Sequence, residues 1–181
     1  TSPQFDNCKD MGALDRDIFD SISSNLNAIM LVGDSEKIHA VCGPSQNILG
    51  YTVEDWFREP HGAMEFWYRA LHPADRDNTR RQFSESIADG RNLALEYRMI
   101  DANGKIVWIY DTVNVVEKKD GVRQVISVMV DITERKNAEH ALRASEERFK
   151  NIVMINPDVI YQLDTDGIIT LIRDRKSTRL N

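Results

Sequence analysis

Apolar residues recur at every fourth position at Leu14, Ile18, Ile22 and Leu26, with Asp15, Asp17 and Asp20 between them. That spacing predicts a short helix with one apolar stripe, which needs a surface to cover. An apolar run from Ala28 to Val32, the polar stretch Gly33 to Lys37 and a second run from Ile38 to Val41 predict a strand, a turn and a strand. Between Pro44 and Leu71 only short helical pieces fit, among them Val53 to Phe57 and Phe66 to Leu71, because Gly50, Pro60 and Gly62 break the pattern. A longer helix is expected from Pro73 to Asp89. Pro suits a first helical position, an acid suits the positive end of the macrodipole, and Gly90 is placed to end the helix after Phe83 and Ile87 turn inward.

Three strands are expected next, at 92–100, 105–116 and 122–132, separated by Asn103-Gly104 and Asp120-Gly121. Such dipeptides accept the positive φ of tight hairpin turns. Even-length loops would put Leu95, Tyr97, Met99, Trp108, Tyr110, Val125, Ser127 and Met129 on one face. The other face would then receive Val107, Ile109, Val113, Val115, Ile126, Val128 and Val130. Both faces are apolar, so both need cover. The central helices suit one, and the Leu14 to Leu26 helix or a second copy of the chain suits the other.

After Asp131 the apolar period changes from two to seven. Ala138, Leu142, Ser145, Phe149 and Ile152 alternate steps of four and three, a weak coiled-coil seam on a long helix. Asp131 with Arg135, Glu139 with Arg143 and Glu146 with Lys150 place acid before base at i, i+4 along it. Beyond the helix, residues 155–169 echo residues 26–38: an Asn, an apolar strand, an Asp turn and a returning strand. Copies spaced by ~130 residues indicate tandem domains rather than a solenoid.

Composition narrows the reading. The 181 residues are 41% hydrophobic and 29% charged, ordinary globular stock. With 23 Lys and Arg against 29 Asp and Glu the net charge is −6, which disfavours nucleic acid as a partner. No apolar stretch is long enough to span a bilayer, and TSPQFDNCKD lacks the regions of a signal peptide, so no membrane contact is expected. The two cysteines, Cys8 and Cys42, read as reduced thiols and point to a cytoplasmic setting.

Several fragments together carry a resemblance. They are Gly43-Pro44-Ser45-Gln46-Asn47-Ile48-Leu49-Gly50-Tyr51-Thr52, Phe66-Trp67 through Leu71-His72-Pro73-Ala74-Asp75-Arg76, Leu95-Glu96-Tyr97-Arg98 leading to Trp108, and Asp131-Ile132-Thr133-Glu134-Arg135-Lys136 continuing to Ser145-Glu146-Glu147-Arg148-Phe149. In this order they resemble a PAS domain with its PAC segment, followed by the start of a second, as in tandem PAS sensors of bacterial histidine kinases and diguanylate cyclases. The resemblance implies an α+β PAS fold: a five-stranded antiparallel sheet with helices on one face, followed by a long linker helix. The expected division is a cap helix region at 1–25, the PAS/PAC domain at 26–132, a signalling helix at 133–154, the truncated second domain at 155–172 and a non-native tail at 173–181. It further implies a sensor and signal-relay module in two-component or cyclase signalling. An output domain in cis, outside these residues, would receive the signal through Asp131 and Thr133, and a homodimer is expected.

No enzyme motif is present: there is no G-x-S-x-G, no phosphate-cradling glycine loop, no H-E-x-x-H and no C-x-x-C, so neither a catalytic residue nor a metal site is expected. His140 lacks the Glu and Pro of a phosphoacceptor helix and reads as a solvated histidine. The resemblance implies that FMN is disfavoured, since flavin photosensors of the family place an adduct-forming cysteine at the start of the long helix and none lies between Cys42 and Asn181. It implies that haem is disfavoured too, since the family's oxygen sensors take an axial histidine from that helix and Pro73 to Asp89 holds none. What remains is the face bearing Leu95, Tyr97, Met99, Trp108, Tyr110, Ser127 and Met129, the candidate lining of a small-molecule pocket. Two readings stand: a ligand-sensing module of unknown ligand, or a ligand-free dimerisation and relay module.

Overall fold

The computed structural model describes residues 25–58, 62–117 and 123–155, together with 18, 21–23, 60, 160–163, 165 and 169–173. Two compact units divide the chain, residues 1–134 and 135–181.

The first unit holds five strands: β1 (Ala28–Gly33), β2 (Ile38–Cys42), β3 (Leu93–Ile100), β4 (Ile106–Glu117) and β5 (Arg123–Asp131). They form one antiparallel sheet in the order β2-β1-β5-β4-β3, so the first hairpin docks its β1 against the last strand. Between β2 and β3 run four helices: α1 (Ser45–Leu49), α2 (Val53–Trp56), α3 (Ala63–Ala70) and α4 (Arg76–Asp89). Leu49, Trp56, Phe66, Trp67 and Leu71 from this helical segment pack with Ile29, Val41, Tyr97, Met99, Ile109 and Met129 in one buried cluster. The helices therefore cover one face of the sheet.

The helix expected from Pro73 starts at Arg76, three residues later. His72 carries the intervening turn: its carbonyl accepts the Asp75 N–H, and its ring Nδ1 accepts the Ala74 N–H. Gly90 does end α4, at φ 66°, a left-handed conformation that glycine adopts without steric cost.

Side-chain parity differs from the expectation, and the loops explain why. Ile100 pairs with Ile106 and Glu117 with Arg123, so both connections contain an odd number of residues. In the first, the Asp101 carboxylate accepts the N–H groups of Asn103 and Lys105, which makes the turn wider than a two-residue hairpin. An odd loop puts odd-numbered residues of both strands on the same side. Tyr97 consequently faces the helices beside Ile109, and Asp111 beside Met129, while Trp108 and Tyr110 point out the opposite way. Val107, Ile109, Val113 and Val115, expected on the outward side, belong to the helix-covered face, and Val113 is buried.

The outward face carries Met30, Val32, Ala40 and Cys42 in a second buried cluster, with Ile126 and Val128 against it. Farther along, Ile106, Tyr110 and Val116 are exposed. The N-terminal stripe does not cover them: Ile18, Ile22 and Leu26 are exposed, whereas Ser23 is buried beside Gly43. Leu14 lies outside the described residues.

Helix α5 (Thr133–Ile155) follows β5. Its seam positions Ala138, Leu142, Ser145 and Phe149 are exposed within the single chain. Ion pairs along it include Arg135 with Glu139 and Arg143 with Glu147, each with the base before the acid. In the second unit β6 (Ile160–Leu163) pairs antiparallel with β7 (Ile169–Arg173).

Candidate functional site

The helix-covered face is apolar apart from one polar cluster at its centre. Asp111, on β4, is 1% exposed. Its Oδ2 accepts the Tyr97 hydroxyl at 2.8 Å and its Oδ1 accepts the Ser127 hydroxyl at 2.6 Å. Trp67 on α3 donates its indole N–H to the Tyr97 hydroxyl at 3.2 Å. Three strands thus meet at one carboxyl group, and α3 reaches it through the Tyr97 hydroxyl. Among the described residues no cation pairs with it, so burial raises its pKa to about 6, against the lowering pull of the Ser127 and Tyr97 hydroxyls. Burial, with the neighbouring Asp111 charge, pushes the Tyr97 hydroxyl well above its ordinary range.

Asp111 and Ser127 line a small cavity of about 10 Å³, walled by Leu31, Ile38, Trp67 and Phe83. Gly33 forms part of the wall, where an added Cβ would lie 2.4 Å from the Lys37 carbonyl oxygen. A separate, larger cleft of about 810 Å³ lies between the β1–β2 turn, α4, the end of β4 and the start of β5. Asp34, Met64 and Phe83 belong to the walls of both. Asp34 accepts the N–H groups of Glu36 and Lys37 and meets His39 Nε2 at 2.6 Å. Burial works against its charge, but these contacts outweigh it and leave the carboxyl below its ordinary pKa.

The seven residues expected to line a pocket are split by this geometry. Ser127 lines the cavity; Tyr97 sits behind it on Asp111; Met99 and Met129 lie within the core cluster, and Leu95 packs against that cluster. Trp108 and Tyr110 are on the other side of the sheet, moved there by the odd loop, and Tyr110 is exposed. Instead, the Trp108 ring carries the Arg98 guanidinium 5.5 Å from its centroid. Arg98 is also held by both Asp75 oxygens, at 2.9 and 2.6 Å. The Arg98 hydrogen bond outweighs burial and keeps Asp75 below the usual carboxylate range. Asp111 was missed because an acid in an apolar strand reads as solvent-facing. The available signal was Tyr97, Asp111 and Ser127 all being odd-numbered, which matters only once the loop parity is known.

Asp131 and Thr133 meet where strand becomes helix. The Asp131 Oδ1 accepts the Thr133 N–H at 2.8 Å, and the Thr133 hydroxyl accepts the Trp108 N–H at 2.9 Å. The Ile132 N–H donates to the Trp108 carbonyl at 2.9 Å. The start of α5 is therefore fastened to β4 as well as β5. His140 is exposed on α5, and among the described residues no group of three or more His, Cys, Asp or Glu could hold a metal ion.

The family model for the PAS fold matches residues 41–129, the stretch from β2 to β5. That stretch has the PAS fold. The chain is 26% identical over 103 residues to the two-component sensor PprA of Pseudomonas aeruginosa, covering 56% of this chain and 11% of that protein. An uncharacterised protein of Sinorhizobium fredii, y4lL, is 29% identical over 126 residues, 69% of this chain and 14% of its own length. The chain thus spans a small fraction of these curated relatives. Among solved structures, the N-terminal domain of a diguanylate cyclase with PAS/PAC sensor from Marinobacter aquaeolei is 26% identical with a TM-score of 0.53, covering 60% of this chain and 98% of that one. No catalytic domain is evident among the described residues. No described helix is long and apolar enough to cross a membrane.

Proposed function

We propose that this PAS domain is a cytoplasmic sensor module that binds a small molecule in the cleft leading to Asp111. It passes the occupancy to an output domain, a histidine kinase or diguanylate cyclase, through α5. The observation that carries the reading is continuity along two strands. Asp111 lies three residues from Trp108 on β4, and Ser127 four residues from Asp131 on β5. At about 3.4 Å per residue the cavity wall stands ~10–14 Å from the start of the helix. A ligand that changes the Asp111 and Ser127 contacts therefore works on the strands that hold Thr133. The module acts as a homodimer, with the exposed Ile106, Tyr110 and Val116 on the outward face offered to a second copy. Residues 155–172 begin a truncated second PAS domain, a reading supported by the pairing of β6 with β7.

A ligand-free relay is the second reading, and the smallness of the inner cavity favours it. Native mass spectrometry of the purified chain separates the two: a reproducible bound mass released by denaturation supports the sensor, and a bare chain from every expression host supports the relay.

A further inference from the structure

We infer that the ligand of this site is a protonated amine, with its ammonium head in the cavity beside Asp111 and an apolar body in the cleft against Met64 and Phe83. This rests on the sensor reading above. Four observations converge on it.

Size comes first. The inner cavity, about 10 Å³, is close to the minimum for one water molecule. It admits an ammonium head and is too small for a carboxylate, a phosphate or a ring, whereas the outer cleft of about 810 Å³ takes an aromatic or alkyl body. Charge comes next. Asp111 is buried with two hydroxyl donors and, among the described residues, no cation. A buried carboxylate without a counter-charge is costly, so a cation supplied from outside is bound by exactly the charge the fold leaves uncompensated.

The walls add a third. Trp67 and Phe83, their ring centroids 5.2 Å apart, are among the residues lining the cavity, and aromatic rings attract cations over their faces. The rim supplies the fourth. Asp34, itself held by His39, and Glu36 and Glu117 bring three carboxylates to the cleft against two guanidiniums. Its two guanidiniums are engaged by the protein: Arg123 donates to the carbonyls of Ile87 and Ala88 at the end of α4, and Arg80 lies 5.1 Å from the Tyr68 ring centroid. An anionic ligand would face Asp34 and then Asp111 on its way in. A pKa near 6 leaves Asp111 mostly ionised at neutral pH, as the pairing requires.

The test is calorimetric titration of the purified chain with three probes of one shape: phenethylammonium, 2-phenylethanol and phenylacetate. The amine is expected to bind at least about tenfold more tightly than the alcohol, with the acid weakest. Asp111→Asn should remove that preference while leaving alcohol binding within about twofold. Equal affinity of amine and alcohol, or a preference that survives Asp111→Asn, overturns the assignment and leaves the cleft a site for another class. No binding by any of the three also overturns it, and the sensor reading is then decided separately by the native mass measurement. The wild-type comparison needs no variant, so an ill-folded mutant would not shield the inference.

Discussion

Replacing Asp111 by Asn keeps the shape of the buried cluster and removes its charge, which makes the energetic cost of that charge measurable. The carboxyl pKa is 3.8 in the unfolded chain and about 6 in the folded one. A raised carboxyl pKa means the native state holds its proton more firmly, so the associated stability is fully present below pH 3.8 and is lost as the pH rises through 6. At 1.36 kcal/mol per pH unit the loss totals roughly 3 kcal/mol, of which about 2 kcal/mol falls between pH 4 and pH 8. Asn also has to turn one hydroxyl of Tyr97 or Ser127 from donor to acceptor, an offset of about 1 kcal/mol that does not depend on pH. The assay is urea unfolding of both proteins from pH 4 to pH 8, taking the wild-type minus Asp111→Asn difference so that other titrating groups cancel. Over that range the difference should move against the wild type by about 2 kcal/mol, a relative midpoint shift of about 1–2 M urea. Parallel curves would refute the claim that Asp111 is buried and ionised without a counter-charge.

Other expectations follow from the same geometry. Asp75→Asn releases Arg98 from the turn before α4 and should cost about 1–2 kcal/mol at pH 7 in chemical denaturation, with the deficit closing only as the pH falls below about 4. Tyr110→Glu on the outward face should weaken self-association in sedimentation at micromolar concentration; identical sedimentation of both proteins would show that the face takes no second copy. In a sensor chimera, inserting seven residues after Arg143 nearly restores the face of α5 and should keep regulation, whereas two residues turn it by ~200° and should lock or invert it. Equal tolerance of both insertions would mean a flexible tether.

The order of elements was legible because each is punctuated chemically. The Gly33 to Lys37 turn, the Gly50 break and the Gly90 stop separate runs whose periods differ, and the strands fall within a residue or two of the expected spans. Face assignment was not legible. It depends on loop parity, and Asn103-Gly104 resembles a two-residue turn although Asp101 widens it to five through its carboxylate. One misjudged residue sent Trp108 and Tyr110 to the wrong side and hid Asp111. The N-terminal stripe misled for a different reason. Ile18, Ile22 and Leu26 have the spacing of an amphipathic helix, but they are exposed and it is Ser23 that is buried, against Gly43. Asp131 and Thr133 were singled out by resemblance, whereas the Thr133 hydroxyl reaching the Trp108 amide, 25 residues away in sequence, leaves no local trace.

The central claim, that the Asp111 site and the start of α5 are coupled, is tested most directly by a double-mutant cycle in a chimeric sensor kinase carrying this chain as its input. Asp111→Asn mimics the neutralised site, and Thr133→Val cuts the tie to Trp108. The account predicts that Asp111→Asn shifts basal autophosphorylation and that the shift vanishes in the Thr133→Val background. An equal shift in both backgrounds, or none in either, would contradict it.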